Sequence, residues 1–392
     1  MPDQPASKPK SGERLGIGLI GQRFMGRAHS NAWRQAPKFF ALPCYPALEL
    51  VAAQNPDNLA DFSARWGWRR YTTDWQELVA DPAVDLVDIG TPNHLHHEPA
   101  IAALLAGKAV ASEKPLAATL ESALAIRDAA RKTGLPTFVW FNYRRCPAIG
   151  LAWMLMREGR LGRIYQVRAA YLQDWGGPST PTSWRFRSAE AGSGAHGDLN
   201  SHAVDLVRFL LDEAVVGIHG AVSPTFITQR SNPATGQEVV SDVDDAMLFT
   251  AGFEGGAVAS FEASRVAGGN QNALRLEING ELGSLRWDLE EMNLLYYFDS
   301  RDGKKTAGWR RIMATSAGNH PYAEAYWPDA HLLGYEHTFV SMAADICRSL
   351  RGESPVLPLP DFFDAYQTQR VLEAASIAAR ERTAVPLSRI TD

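Results

Sequence analysis

The stretch Leu15–Ala32, LGIGLIGQRFMGRAHSNA, decides how the chain is read. Leu15 to Ile20 form a short apolar run that stops at Gly21, as a buried parallel strand does, and Phe24 to Gln35 continue with helix-compatible residues. A strand, a glycine turn and a helix in that order present backbone N–H groups at a helix N-terminus, where a pyrophosphate is held. Gly21 and Gly26 match the first and last glycines of a dinucleotide loop, while Arg23 stands where the middle glycine belongs. Arg23 can turn outward and pair with phosphate through its guanidinium; an ordinary strand-to-helix turn fits the same spacing.

Outward from this unit the same rhythm repeats. Leu48 to Ala53 reads as a second strand ending at Asn55-Pro56, with Ala36 to Ala47, rich in proline and aromatics, as an inserted loop. Helix Leu59–Gly67, strand Asp85–Gly90, helix His97–Ala106, strand Ala109–Ser112, helix Leu120–Thr133 and strand Thr137–Phe141 follow with short connections, which predicts a parallel sheet covered on both faces. After Asn142 longer alternating strands take over: Tyr165–Leu172, Ala246–Phe253, Ala257–Ser264, Leu274–Asn279 and Ser284–Asp288. Their turns at Gly255-Gly256 and Glu281–Gly283 suggest an antiparallel meander. Helices Ser201–Leu211, Tyr335–Leu350 and Phe362–Arg380 would cover one face and leave the other for a partner subunit. The expected fold is therefore α/β, an N-terminal Rossmann doubly wound parallel sheet plus a C-terminal α+β domain with a large, mostly antiparallel open sheet. Its expected limits are a disordered leader over 1–13, a dinucleotide-binding domain over 14–141 and a substrate-binding and oligomerisation domain over 142–392.

Composition narrows the class of function. A chain of 392 residues exceeds what one core usually organises, and 45% hydrophobic against 21% charged residues supply ample core material. The longest apolar runs are too short to span a bilayer, and a net charge of -5 offers no basic field for nucleic acid. Cys44, Cys146 and Cys347 are widely spaced and odd in number, which reads as reduced thiols in a cytoplasmic protein.

Several residues can carry chemistry. Asn55 stands where an acidic residue would bind the adenosine ribose; an amide bonds the hydroxyls but repels no 2'-phosphate, and no arginine follows, so NAD is favoured over NADP. Thr91-Pro92-Asn93-His94-Leu95-His96-His97 lies past a strand's carboxyl end, where a switch-point crevice would hold nicotinamide. No carboxylate or cysteine completes a ligand set around those histidines, and no metal is expected. Lys114, between Glu113 and Pro115 on a strand-to-helix turn, can stabilise charge developing on a substrate oxygen or be a plain surface lysine. Asp198 and His202, four apart after the glycine-rich Gly192–Gly197, can share a helix face and address one hydroxyl or each other; a helix-start carboxylate beside a core histidine is the ordinary alternative. Tyr143, Arg144, Gln173, Asp174, Trp175, Trp184 and Arg185 carry groups that can bind hydroxyls or pack on sugar C–H bonds, or simply pack in strands. His320, His331 and His337 receive no role.

Gly18-Leu-Ile-Gly21 with Phe24-Met-Gly-Arg-Ala-His29, Thr91-Pro-Asn-His-Leu-His96, Glu113-Lys-Pro115, Phe141-Asn-Tyr-Arg144 and Gly197-Asp198 with His202 resemble, in order, the glucose-fructose oxidoreductase/inositol dehydrogenase/rhizopine catabolism (Gfo/Idh/MocA) family. Tyr171-Leu-Gln-Asp-Trp175 and Ser183-Trp-Arg-Phe186 resemble most its levoglucosan dehydrogenase and glycoside 3-dehydrogenase branch. The resemblance implies an NAD(P)-dependent oxidoreductase that oxidises a secondary hydroxyl, at C3, of a sugar, anhydrosugar or glycoside, with Lys114, Asp198 and His202 catalytic. It implies a dinucleotide against Gly21, Arg23, Phe24, Met25, Asn55, Thr91, Pro92, Asn93, His96, Glu113, Lys114 and Arg185. The sugar would meet Lys114, Tyr143, Arg144, Asp174, Trp175, Trp184, Arg185, Asp198 and His202, in a homo-oligomer, dimer or tetramer. Two alternatives stand beside it: a glycoside hydrolase using transient oxidation and elimination, and a non-catalytic dinucleotide-binding sensor.

Overall fold

The computed structural model describes residues 13–320 and 322–391, so all but the last residue of the expected leader lies outside the described residues. The first layer alternates β1 (Glu13–Ile20), α1 (Phe24–Phe39), β2 (Cys44–Ala52), α2 (Leu59–Trp66), β3 (Arg70–Thr72), α3 (Trp75–Ala80), β4 (Leu86–Ile89), α4 (His97–Leu105), β5 (Ala109–Ser112), α5 (Leu120–Thr133) and β6 (Thr137–Val139). All neighbours pair in parallel, in the order β3-β2-β1-β4-β5-β6. The order in which strands are added reverses between β1 and β4, which opens a crevice beyond their carboxyl ends, bounded by Gly21 and Thr91.

The inserted loop expected over Ala36–Ala47 is much shorter. Helix α1 runs through Pro37 to Phe39, and β2 begins at Cys44. Pro37 lies in the last helical turn, where its missing N–H costs only one terminal bond. Pro46 pairs with Leu15 on one side, while β3 joins β2 only from Leu50 onward, so no ladder bond is lost on the other side.

The second layer adds α6 (Pro147–Arg157), β7 (Ile164–Leu172), α7 (Ser188–Ala191), α8 (Ser201–Leu211), β8 (Val215–Val222), β9 (Gln229–Ser231), β10 (Glu238–Val240), β11 (Ala246–Phe253), β12 (Val258–Ser264), β13 (Ala273–Gly280), β14 (Gly283–Asp288), β15 (Leu294–Asp299), β16 (Arg310–Met313), α9 (Ala323–Tyr326), α10 (Tyr335–Ser349), α11 (Phe362–Glu381) and β17 (Val385–Pro386). Nine of these strands form one sheet in the order β16-β15-β14-β13-β7-β12-β11-β8-β17, and β9 pairs with β10 as a separate ribbon. Every neighbour in the large sheet is antiparallel except β7 with β12. One face packs on α6 and α8, while the opposite face exposes Val222, Leu248 and Val258. Helices α10 and α11 return to the first layer: α10 lies along α1, and Phe362 and Tyr366 of α11 join the core around α5.

A charged group sits inside the first layer. His29 of α1 is fully buried, with Nδ1 3.0 Å from Asp88 Oδ1 and Nε2 3.1 Å from Glu113 Oε1. Trp33 and Trp140 donate their indole N–H groups to Asp88 at 2.7 and 2.8 Å. Burial by itself would lower the affinity of His29 for its proton, but the two carboxylates outweigh it and push the pKa up to about 9. The folded pKa lies above the unfolded value, so this contribution is complete below pH ~6.5 and disappears as pH rises through about 9. The stability gap between wild type and His29→Gln should therefore shrink by about 3 kcal/mol between pH 6 and pH 10. Urea unfolding at both pH values measures it, and a gap independent of pH would refute the charged assignment.

Candidate active site

At the crevice, close backbone packing shapes the loop after β1. Gly21 has φ of +120°, and a Cβ on Gly26 would lie 2.3 Å from the Gly21 carbonyl oxygen, so neither position takes a larger residue without displacement. Arg23, in place of the expected middle glycine, has an ordinary φ of -84° and is exposed at the start of α1. No side chain caps that helix and its first turn has no acid, which leaves its N–H groups for an anion. Thr91 Oγ1 and Gln22 Oε1 are buried nearby without a hydrogen-bond partner. These orphaned oxygens, the uncapped helix and the tight glycine turn fit a dinucleotide. Asn55 accepts the Asp57 N–H through Oδ1 at 2.8 Å, which leaves its amide nitrogen for a ribose hydroxyl.

A cavity of about 660 Å³ continues from this cradle to the second layer. Phe24, Met25, Thr91, Asn93, Glu113 and Lys114 line it from one side, and Tyr143, Tyr171, Gln173, Trp175, Trp184, Arg185, Asp198, His202, Asn272 and Tyr335 from the other. Asp198 sits in a π-helical turn, His196–Asn200, that runs into α8. The Asp244 carboxylate accepts the N–H groups of Gly194 and His196 at 2.6 and 2.7 Å and anchors the entry to that turn. Gly192, with φ of +83°, lies so close to Ala118 that a Cβ would meet its carbonyl oxygen at 1.9 Å, which brings the turn against the segment after Lys114.

Lys114 Nζ donates to the Asp198 side chain and to its backbone carbonyl, each at 3.0 Å. Arg265 Nη2 donates to the other carboxylate oxygen at 2.9 Å. Burial opposes the charge on Asp198, but Lys114, Arg265 and Arg185 overcome it and hold the carboxyl far below its usual range. His202 forms no side-chain hydrogen bond among the described residues, and its ring lies 4.5 Å from the Tyr143 ring. Burial, and then the Lys114 charge, push its pKa well below the ordinary histidine value despite the opposing influence of Asp198. The ring is neutral at neutral pH and free to accept a proton from the cavity.

Across from these groups runs a hydrogen-bond chain with a fixed direction. The Trp175 indole, a donor only, donates to Gln173 Oε1 at 2.6 Å; Gln173 Nε2 then donates to Asn272 Oδ1 at 2.8 Å. Tyr171 OH also donates to Asn272 Oδ1 at 2.7 Å and lies 3.0 Å from Tyr143 OH, which is left to donate to Tyr171. The Asn272 amide N–H groups remain for a ligand oxygen.

Three expectations are corrected by this geometry. Arg144 is buried on the far side of its turn, donating to Asp205 through Nε at 2.9 Å, pairing with Asp364 and covering the Phe209 ring. It holds α8 and α11 together and does not line the cavity. Asp174 is exposed outside the cavity, where it accepts the Gly269 N–H at 3.2 Å. His96 is sealed between the carbonyls of Thr91 and Pro115, each 3.0 Å from a ring nitrogen, so it positions the loop after β4 instead of facing the crevice. Of the two alternatives for Asp198 and His202, the geometry leaves the shared hydroxyl: the Asp198 carboxylate is held by Lys114 and Arg265, and no hydrogen bond joins it to His202. Pro92 lies in the loop behind Asn93, whose amide donates to the Ala191 carbonyl at 2.9 Å. Arg185 stacks its guanidinium on Trp184 at 4.5 Å. Arg265, Asn272 and Tyr335 are site residues that sequence reasoning missed; an arginine directly after strand β12, followed by Gly268-Gly269, was the available signal for the first.

A parallel nucleotide-binding sheet, joined to an open sheet whose residues line the adjoining cavity, defines a two-domain NAD-binding oxidoreductase. Residues 15–141 match an oxidoreductase family with an NAD-binding Rossmann fold, and residues 151–286 match the GFO/IDH/MocA C-terminal domain. The levoglucosan dehydrogenase of Pseudarthrobacter phenanthrenivorans is 38% identical over 97% of this chain and 100% of its own length. Among solved structures, an oxidoreductase domain protein from Kribbella flavida is 44% identical with a TM-score of 0.91, covering 96% of this chain and 99% of that one. A levoglucosan dehydrogenase in complex with NADH and levoglucosan is 39% identical with a TM-score of 0.90, over 95% of this chain and 99% of that one. The chain belongs to the Gfo/Idh/MocA oxidoreductase family and is an enzyme of its NAD(P)-dependent sugar dehydrogenase group. Among the described residues no helix is long and apolar enough to cross a membrane.

Two substitutions separate structural from ligand-facing residues. Arg144→Met leaves Asp205 buried without its partner and should cost about 3–5 kcal/mol in urea unfolding, with the sugar KM of the remaining folded enzyme unchanged. Trp175→Phe removes the donor that orients Gln173 and should raise the sugar KM about tenfold with a smaller change in kcat, as expected for lost uniform binding. Steady-state kinetics that leave KM untouched would take Trp175 out of the site.

Proposed function

We propose that this enzyme transfers hydride between nicotinamide and a secondary hydroxyl, at C3, of a sugar, anhydrosugar or glycoside, with NAD as the favoured cofactor. The observation that carries the reading is the convergence of Lys114, Asp198 and a neutral His202 on one cavity beside the dinucleotide cradle. The 38% identity to a levoglucosan dehydrogenase over nearly the whole length supports the substrate class.

When bound, NAD supplies the hydride acceptor. His202 takes the hydroxyl proton, for which its unprotonated ring is already available. The Lys114 ammonium stabilises negative charge on the reacting oxygen, and burial, reinforced by the same charge, keeps His202 unprotonated before reaction. Asp198 holds that ammonium in place and balances it, so the cavity does not carry two bare cations. Asn272 offers N–H donors that suit ring, bridge and hydroxyl oxygens alike, while Trp175 and Trp184 suit the C–H face of a sugar. Asn55 bonds the ribose without demanding a 2'-phosphate. The exposed Val222, Leu248 and Val258 on the open sheet suit a homo-oligomer, and three buried free cysteines suit a cytoplasmic protein.

The test is incubation with NAD or NADP and a panel of anhydrosugars, glucosides, free hexoses and inositols, following reduced nicotinamide and product mass. Net reduction with a ketosugar product is expected; aglycone release without net reduction would instead establish the hydrolase. Lys114→Ala and His202→Ala should each lower turnover by about 10²–10⁴-fold with dinucleotide binding retained, and near-normal turnover in either would remove that residue from the mechanism.

A further inference from the structure

We infer that His29 is a positioning residue for Lys114, acting through Glu113 and tying the helix that receives the dinucleotide to the lysine at the reacting oxygen. The inference rests on the role given to Lys114 above.

His29 stands in the second turn of α1, the helix that opens at the dinucleotide loop. Its side chain points into the sheet and meets the carboxyl-end residues of two strands. Nδ1 faces Asp88 of β4 at 3.0 Å and Nε2 faces Glu113, directly after β5, at 3.1 Å. A neutral imidazole has one N–H and cannot donate to both. Asp88 already accepts two indole N–H groups, and the pull of the two carboxylates on the ring outweighs its burial, so an imidazolium that donates from both nitrogens is the form that satisfies this geometry. The remaining faces of the ring meet Trp140 and Phe339, with centroids at 4.4 and 5.6 Å, and neither can replace those bonds.

Glu113 is the part of this arrangement that reaches the cavity. One oxygen is held by His29, and the other accepts the Lys114 backbone N–H at 3.2 Å. Lys114 is thus fixed twice, at its backbone by Glu113 and at its ammonium by Asp198. Asp88 and Glu113 together carry two negative charges against one on His29, so loss of the imidazolium leaves two buried carboxylates facing a neutral side chain. Glu113 would then turn toward the cavity and release the Lys114 backbone. A residue remote from the sugar thereby sets the position of one that touches it.

The experiment compares His29→Gln, Glu113→Gln and the double variant by single-turnover hydride transfer, NAD affinity from indole fluorescence, and thermal unfolding. His29→Gln should slow hydride transfer about 10- to 100-fold, the cost of a small misplacement, with NAD affinity close to wild type. In the double variant the loss should not exceed that of Glu113→Gln alone, since both changes break one connection. An unchanged rate in His29→Gln, losses that multiply in the double variant, or a loss matched by weaker NAD binding would each overturn the inference. If His29→Gln does not fold, Glu113→Gln interrogates the same bond from the other end, and normal hydride transfer there overturns it. A second readout needs no turnover: acylation of Lys114 by a small amine-selective reagent, followed by peptide mass, should quicken in either variant. Equal labelling would refute the positioning role. A wild type that reduces nicotinamide with no sugar would sink the proposed function and leave the labelling experiment to decide this inference.

Discussion

A carboxylate drawn largely out of water must be matched by cations at close range, and Asp198, only partly exposed, obeys that constraint in a way that organises the site. Its two oxygens are taken by Lys114 and Arg265, at 3.0 and 2.9 Å. Lys114 follows a strand of the parallel sheet, and Arg265 follows a strand of the open sheet, so satisfying one charge draws loops of both layers to one point. The π-helical turn that carries Asp198 is in turn anchored by Asp244. The geometry on which the proposed chemistry rests is thus the geometry that electrostatics requires.

Around this point the structure separates two kinds of buried charge. Arg144 with Asp205 and Asp364, like Arg145 with Asp345, joins elements distant in sequence and lies outside the lining of the cavity beside Lys114. Lys114 and Asp198 are paired just as closely but remain partly exposed to the cavity, where a ligand oxygen can compete for the ammonium. Pairing alone does not mark a functional residue; the roles proposed for Lys114 and Asp198 rest on pairing at the wall of a cavity beside a neutral histidine.

Much of the fold was legible because it rests on local signals. Apolar runs ending at Gly21, Gly90 and Ser112 read directly as parallel strands, and Lys114 was visible because it follows one of them. The short strands β9, β10, β16 and β17 were not, since a few residues carry little periodicity. The site was legible only in part for a related reason. Tyr143 and Arg144 are neighbours in a 3₁₀ turn with opposite surroundings, and what buries Arg144 is Asp205, 61 residues away. Asn272 is a polar residue at a strand start until the fold brings Gln173 and Tyr171 to it. Such residues owe their roles to partners that no spacing along the chain reveals.

The chain from Trp175 through Gln173 and Asn272 to Tyr171 has one further property. Its outer end is an indole that only gives a hydrogen bond, and its middle members are neutral amides, which hold hydrogens without handing them on. It acts as a stiffener and not as a conduit. The amides of that wall therefore offer His202 no proton relay, and the His202 side chain forms no hydrogen bond among the described residues. For the role proposed for His202, exchange of its proton then falls to the cavity itself, the same space that a sugar would fill.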